Sequence, residues 1–102
     1  MTDRTPLLET YFHLTRRVLP ARALRGQWVV RADHCFQRII LDNVVGGAWR
    51  SQLIAPGPAY RQLSDAQLRQ AVELAGRIER EGDALLRQLN HNSLRWRGKL
   101  RS

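Results

Sequence analysis

Residues 33–49 read DHCFQRIILDNVVGGAW, and whether they form a helix or a strand decides the fold. RIILDNVV (38–45) is rich in β-branched residues and would suit a strand. It lacks the alternation of a half-buried strand, however. Asp33 stands where a helix cap belongs, and Gly46-Gly47 can close a helix in a left-handed turn. The stretch therefore predicts a helix over about 34–45. Successive helical residues turn by about 100°, so Cys35, Phe36, Ile39, Ile40 and Val44 share an apolar face, with Asn43 in its middle. His34, Arg38 and Asp42 step along the opposite side at i, i+4, i+8, beside Leu41 and Val45. Apolar residues on both sides mark a central helix, contacted by neighbours on more than one side.

Outward from this helix the chain stays helical. Upstream, Thr5 and Pro6 read as an N-cap and first helical position, followed by Leu7, Leu8, Tyr11, Phe12, Val18 and Leu19 at helical spacing. Pro20 should end or kink that helix, and residues 20–26 should form a short turn or helical piece closing at Gly26. QWVVR (27–31) reads as extended, but one short segment makes no sheet. Downstream, LIAPGPAY (53–60) is a loop. Ser64 and Gln67 match a capping box, from which a helix runs to about Glu81. Gly82-Asp83 breaks it, and a last helix covers roughly 84–97. The expected fold is all-α: one domain over 1–102, a bundle of about four helices with one short extended segment, residues 84–102 forming a basic C-terminal helix and tail.

The opening stretch gathers chemistry-bearing residues without forming a usual catalytic motif. His34 and Cys35 are adjacent, so on a helix they point about 100° apart and cannot easily form the hydrogen bond that activates a thiol. A cysteine on an apolar face is ordinarily a small inert hydrophobe. His34, Arg38 and Asp42 read either as an ion-pair stripe at i, i+4 spacing or as a site between helices, with Arg38 as an anion-holding fork and His34 as a proton carrier. They are the only catalytic candidates. Asn43 must find partners if buried, and the Gly46-Gly47 backbone or the QWVV segment could supply them. His13, His34, His91 and Cys35 lack metal-ligand spacing, and there is no Walker loop, G-x-G-x-x-G or G-x-S-x-G. Neither a metal nor a cofactor is expected.

The two C-terminal helices differ in charge. On 65–81, Arg69, Glu73, Arg77 and Glu81 alternate in sign at i, i+4 opposite the apolar Leu68, Ala71, Val72, Leu74, Ala75 and Ile78, which describes a solvated outer face. On 84–97, Leu85, Leu86, Leu89 and Trp96 point inward, while Arg87, His91 and Arg95 line the outside. The net charge is +8, with sixteen of the seventeen basic residues arginine. Residues 1–83 carry twelve basic and nine acidic groups, so the last nineteen residues supply +5. Their surplus makes Arg87, His91, Arg95, Trp96, Arg97 and Lys99 the expected anion-binding surface, with nucleic acid or another polyanion as partner. Lys and Arg near a helix C-terminus also complement the macrodipole, which is the structural account of the same residues. No zinc-finger spacing, RRM signature or recognisable helix-turn-helix accompanies them.

The pattern D-H-C-F-x-R-I…W…P-A-Y-x-x-L…S-L-x-W-R-G-K, spread over most of 33–99, resembles short bacterial proteins filed under the GNAT-type acetyltransferase name. That resemblance implies acetyl transfer from acetyl-CoA and a mixed sheet, with backbone amides near Gly46–Ala48 holding the pyrophosphate. The pyrophosphate loop of that family has the form Q/R-x-x-G-x-G/A. NVVGGA (43–48) keeps Gly46 and Ala48 but has Asn43 where Gln or Arg belongs. A helix is also expected to end there, which is the wrong polarity for an anion.

No apolar run approaches the ~20 residues of a membrane span, and MTDRTPLLETYF lacks the layout of a signal peptide. With one cysteine, no internal disulfide is possible. A cytoplasmic protein is expected: a basic helical binding module for an anionic partner, nucleic acid foremost, with an acetyltransferase-like enzyme as the alternative. A protein-binding module with an apolar patch around Trp28 or Trp49 is the third reading.

Overall fold

The first helix runs past Pro20. A computed structural model, describing residues 3–99, places α1 (Thr5–His13), a π-helical turn (Leu14–Val18) and α2 (Leu19–Gly26) in one unbroken helical stretch. Proline has no N–H, and its ring presses on the carbonyl four residues back, here that of Arg16. Just before it, the ladder widens: the Leu19 N–H donates to the Leu14 carbonyl, five residues back. Pro20 then lies in the first turn of α2, where a missing N–H matters least. Pro20 thus does not end the helix; the helical register changes just before it.

Two caps lie one residue before their expected places, at Arg4 and Ala32. Thr5 is the first residue of α1, and its N–H donates to the Asp3 carboxylate at 2.9 Å. That bond holds the Asp3 carboxyl below its ordinary value. Asp33 is the first residue of α3 (Asp33–Val45) rather than its cap, and its carboxylate accepts the His34 N–H at 2.7 Å. At the other end of α3 the expectation holds. Gly46 is left-handed (φ +74°), and the N–H groups of Gly46 and Gly47 both donate to the Asp42 carbonyl.

Gly26 does not supply the left-handed residue after α2; Gln27 does (φ +54°). Gly26 is needed for space, since a Cβ there would lie 2.6 Å from Trp28 Nε1. The indole folds back beside the helix end and meets the Phe36 ring at a steep angle. The segment after it forms no strand, and none occurs among the described residues. Instead the Val29 N–H donates to the Asp83 carboxylate at 2.9 Å, pinning the connector to the last helix.

The short α4 (Trp49–Gln52) and α5 (Ala59–Gln62) flank the proline-rich loop. Helix α6 (Asp65–Glu81) starts with the capping box as expected: the Gln67 N–H donates to Ser64 Oγ, and the Ser64 N–H to Gln67 Oε1. Gly82 (φ +77°) separates it from α7 (Asp83–Trp96). Four long helical stretches therefore make the fold, with α3 at its centre, packed against α2, the π turn, α4, α6 and α7. Its Phe36, Ile39, Ile40 and Leu41 are buried with Leu68, Ala71, Ala75 and Ile78 of α6 and with Leu85, Leu86 and Leu89 of α7. Tyr11, Leu19 and Ala23 close the core from the first stretch. The radius of gyration is 13.2 Å, close to the ~13 Å of a compact chain of this length. No described helix is long and apolar enough to cross a membrane.

Candidate functional site

On the polar side of α3, Arg38 and Asp42 bond to α7. Asp42 is 0% exposed. Ser93 Oγ donates to its Oδ2 at 2.6 Å, and the Trp49 N–H donates to Oδ1 at 3.0 Å. Arg97, just beyond α7, grips it with two bonds, Nε to Oδ2 at 2.7 Å and Nη2 to Oδ1 at 2.9 Å. Such a forked pair is the strong form of a carboxylate–arginine contact, and it raises the Arg97 pKa, chiefly through its hydrogen bond to Asp42. With four donors on two oxygens, Asp42 is an anchor joining α3, α4 and the end of α7.

Arg38 does not pair with Asp42, although the spacing would allow it. Its Nη1 donates to Ser93 Oγ at 2.7 Å and its Nη2 to Asn90 Oδ1 at 2.9 Å. Ser93 thus links a half-buried cation to a buried anion. Asn43 is structural, but with partners other than those expected: its amide donates to the carbonyls of Ile39 and Leu89, and its oxygen accepts from Asn92. Every fully buried polar side-chain atom among the described residues has a partner. His34 stays apart from this network, 81% exposed, with Nδ1 3.7 Å from the Asp33 carboxylate. The structure therefore joins Arg38 and Asp42 through Ser93 and leaves His34 outside.

Above this seam lies a cleft of about 380 Å³. The first stretch contributes Tyr11, Phe12 and Arg16, and α3 contributes His34, Gln37, Arg38 and Leu41. Trp49 and Arg50 of α4 and Pro58, Ala59 and Tyr60 around the start of α5 form another side, and Arg97 closes it. Among the described residues, four guanidinium groups and an imidazole line it, and no carboxylate does. The Arg16 guanidinium lies 3.9 Å from the Phe12 ring centroid, and that of Arg50 lies 5.4 Å from the Trp49 ring. Both are cation–π pairs. Phe12 in turn meets Tyr60 edge to face at 4.9 Å. Gln37, whose amide donates to Thr15 Oγ1 at 3.2 Å, ties α3 to the π turn that carries Arg16. Tyr11 is buried to within 1%, and burial drives its hydroxyl pKa well above the ordinary tyrosine value, against the opposing charge of Arg16.

The basic face of α7 is less uniform than its sequence. Arg87 pairs with Asp83, and Arg97 turns inward to Asp42. Trp96 is half-buried, while His91, Arg95 and Lys99 are exposed. These three have no acidic partner among the described residues; Arg101 lies outside them. Of the six expected anion-binding residues, only Arg97 lines the cleft. Tyr11, Phe12, Arg16, Trp49, Arg50 and Tyr60 were not expected there. The i, i+4 spacing of Phe12 and Arg16 was the one local signal that could have pointed to them.

Among the described residues no group of three or more His, Cys, Asp or Glu side chains could hold a metal ion. The Gly46 and Gly47 amides, which the acetyltransferase resemblance would place on a pyrophosphate, both donate within the chain to Asp42. Comparison of the chain with family models, curated proteins and solved structures gave no match.

Proposed function

We propose that this protein is a small helical binding module for an anionic partner, seated in the cleft between the first helical stretch, α3 and α4. One observation carries the reading: Arg16, Arg38, Arg50, Arg97 and His34 line one concavity, and among the described residues no carboxylate joins them. Cations gathered in a cleft with apolar walls repel one another and focus a positive potential outward, and an anion relieves both effects. Guanidinium forks suit carboxylate and phosphate. The single cysteine, which can form no internal disulfide, supports a cytoplasmic location.

Nucleic acid is the second reading, favoured by the exposed His91, Arg95 and Lys99 on and after α7. One set of titrations separates the two. Inorganic phosphate should raise the melting temperature of the protein in a concentration-dependent way, and Arg16→Ala with Arg50→Ala should abolish the rise. Under the second reading, fluorescence anisotropy with labelled single-stranded RNA and duplex DNA should show steeply salt-dependent binding. That binding should vanish when Arg95 and Lys99 are reversed in charge and persist in the Arg16, Arg50 variant. Acetyl-CoA belongs in the same series. A melting shift with acetyl-CoA and none with phosphate would favour the acetyl-transfer reading instead.

A further inference from the structure

Resting on the anion-binding reading, we propose that the cleft takes a phosphomonoester carried on an aromatic group, of nucleoside 5′-monophosphate size. The charge balance is the first reason. Arg97 is committed to Asp42, whereas Arg16, Arg38 and Arg50 have no carboxylate partner among the described residues. A monocarboxylate would neutralise one of the three. A phosphomonoester carries about −1.5 to −2 at neutral pH and offers three acceptor oxygens, a closer match to three guanidinium groups.

Preorganisation is the second reason. Arg38 is fixed by Ser93 and Asn90 through two of its nitrogens, and Arg16 lies against the Phe12 ring. Both lose less freedom on gripping an anion than free surface arginines would. The third reason is the aromatic lining. Trp49 and Tyr60 line the cleft, and nucleobases stack on aromatic rings. Tyr11 adds a specific polar contact. Its hydroxyl has no hydrogen-bond partner among the described residues, yet every fully buried polar side-chain atom has one. The trace of exposure left to Tyr11 is therefore at its hydroxyl, and Tyr11 lines the cleft. A polar ligand atom there would complete it. The volume, about 380 Å³, sits at the low end of the ~300–1,000 Å³ of small-molecule sites, as suits a mononucleotide better than a long-armed cofactor.

The test is isothermal titration calorimetry of the full chain at low salt with AMP, UMP, inorganic phosphate and adenosine. Both nucleotides should bind about tenfold or more tighter than phosphate or adenosine, because phosphate and ring are each recognised. Arg16→Ala and Arg50→Ala, at exposed positions that should not disturb the core, should each weaken AMP binding by about tenfold. Tyr11→Phe should weaken it several-fold without lowering the melting temperature, and Arg95→Ala on α7 should leave it unchanged. If phosphate binds and AMP binds no tighter, the aromatic inference is overturned while the anion reading stands. If adenosine binds as well as AMP, or if none of the four binds, both fall.

Discussion

On α6, Arg77 and Glu81 stand four residues apart and bond to each other at 2.8 Å on an open face. On α3, Arg38 and Asp42 have the same spacing and ignore each other; each finds its side-chain partners on or just beyond α7, more than fifty residues away. The difference lies in what flanks the charges. Opposite the α6 line is one apolar stripe, so that line can only face water. The α3 line runs beside Leu41, itself buried, so its charges are drawn into a helix–helix seam. There an unpaired charge is costly and geometry is set by the neighbour. Equal spacing on a helix thus fixes which residues can meet, while burial decides whether they do.

The strongest way to break this comparison is Asp42→Ala. It removes the acceptor for Ser93, the Trp49 N–H and both bonds of Arg97, itself only 20% exposed along its side chain. Loss of one partner of a buried pair should lower the unfolding free energy by roughly 3–5 kcal/mol, measured by urea denaturation. Adding Arg97→Ala to that variant should cost less than Arg97→Ala alone, with a coupling of about 1 kcal/mol or more. Additive losses would mean that the seam is not an ion pair in the energetic sense, and the contrast with α6 would collapse.

A middle case sharpens it. Asp83 lies at the start of α7, partly exposed, yet it joins both kinds of contact: a local bond from Arg87 and a distant one from the Val29 N–H. These bonds, Arg87 first, hold its carboxyl below the ordinary value. A depressed folded value means that the contribution is complete above the unfolded value of about 4 and is lost as pH falls through the folded one. Melting temperature followed from pH 7 to about 2 should therefore decline in the parent chain. In Asp83→Asn it should start lower and decline less. Parallel curves would show that neither bond stabilises the fold.

The sequence made the helices legible more fully than the site. The α6 capping box, the Gly46 terminus of α3 and the apolar faces of α3, α6 and α7 are local patterns, and each was read as it stands. Pro20 does not end the helix, because the ladder changes register over the whole turn from Leu14 to Val18, which no single residue announces. The N-cap positions are Arg4 and Ala32, one residue before Thr5 and Asp33, and neither supplies a side-chain cap bond, so the cap-forming residue types do not mark the helix starts. The cleft was hardest to see. Tyr11, Arg16, Trp49, Arg50 and Tyr60 come from separate elements, and only packing brings them together. The basic run of the last helix is the more conspicuous charge pattern, although Arg87 and Arg97 are largely committed within the chain.

The smallest effect expected is that of Arg77→Ala, and it bears on the comparison most cleanly. The bond raises the Arg77 pKa and lowers that of Glu81, the side-chain hydrogen bond being the first cause in each. Both groups lie in solvent, however, where attraction is screened and two long side chains must be held still. The order is also the weaker one, with the cation N-terminal to the anion on the helix. The urea midpoint of Arg77→Ala should therefore match that of the parent within experimental error. A loss approaching that of Asp42→Ala would show that the Arg77–Glu81 pair supports more than the outer surface of α6, and that burial does not set the value of charge pairs in this fold.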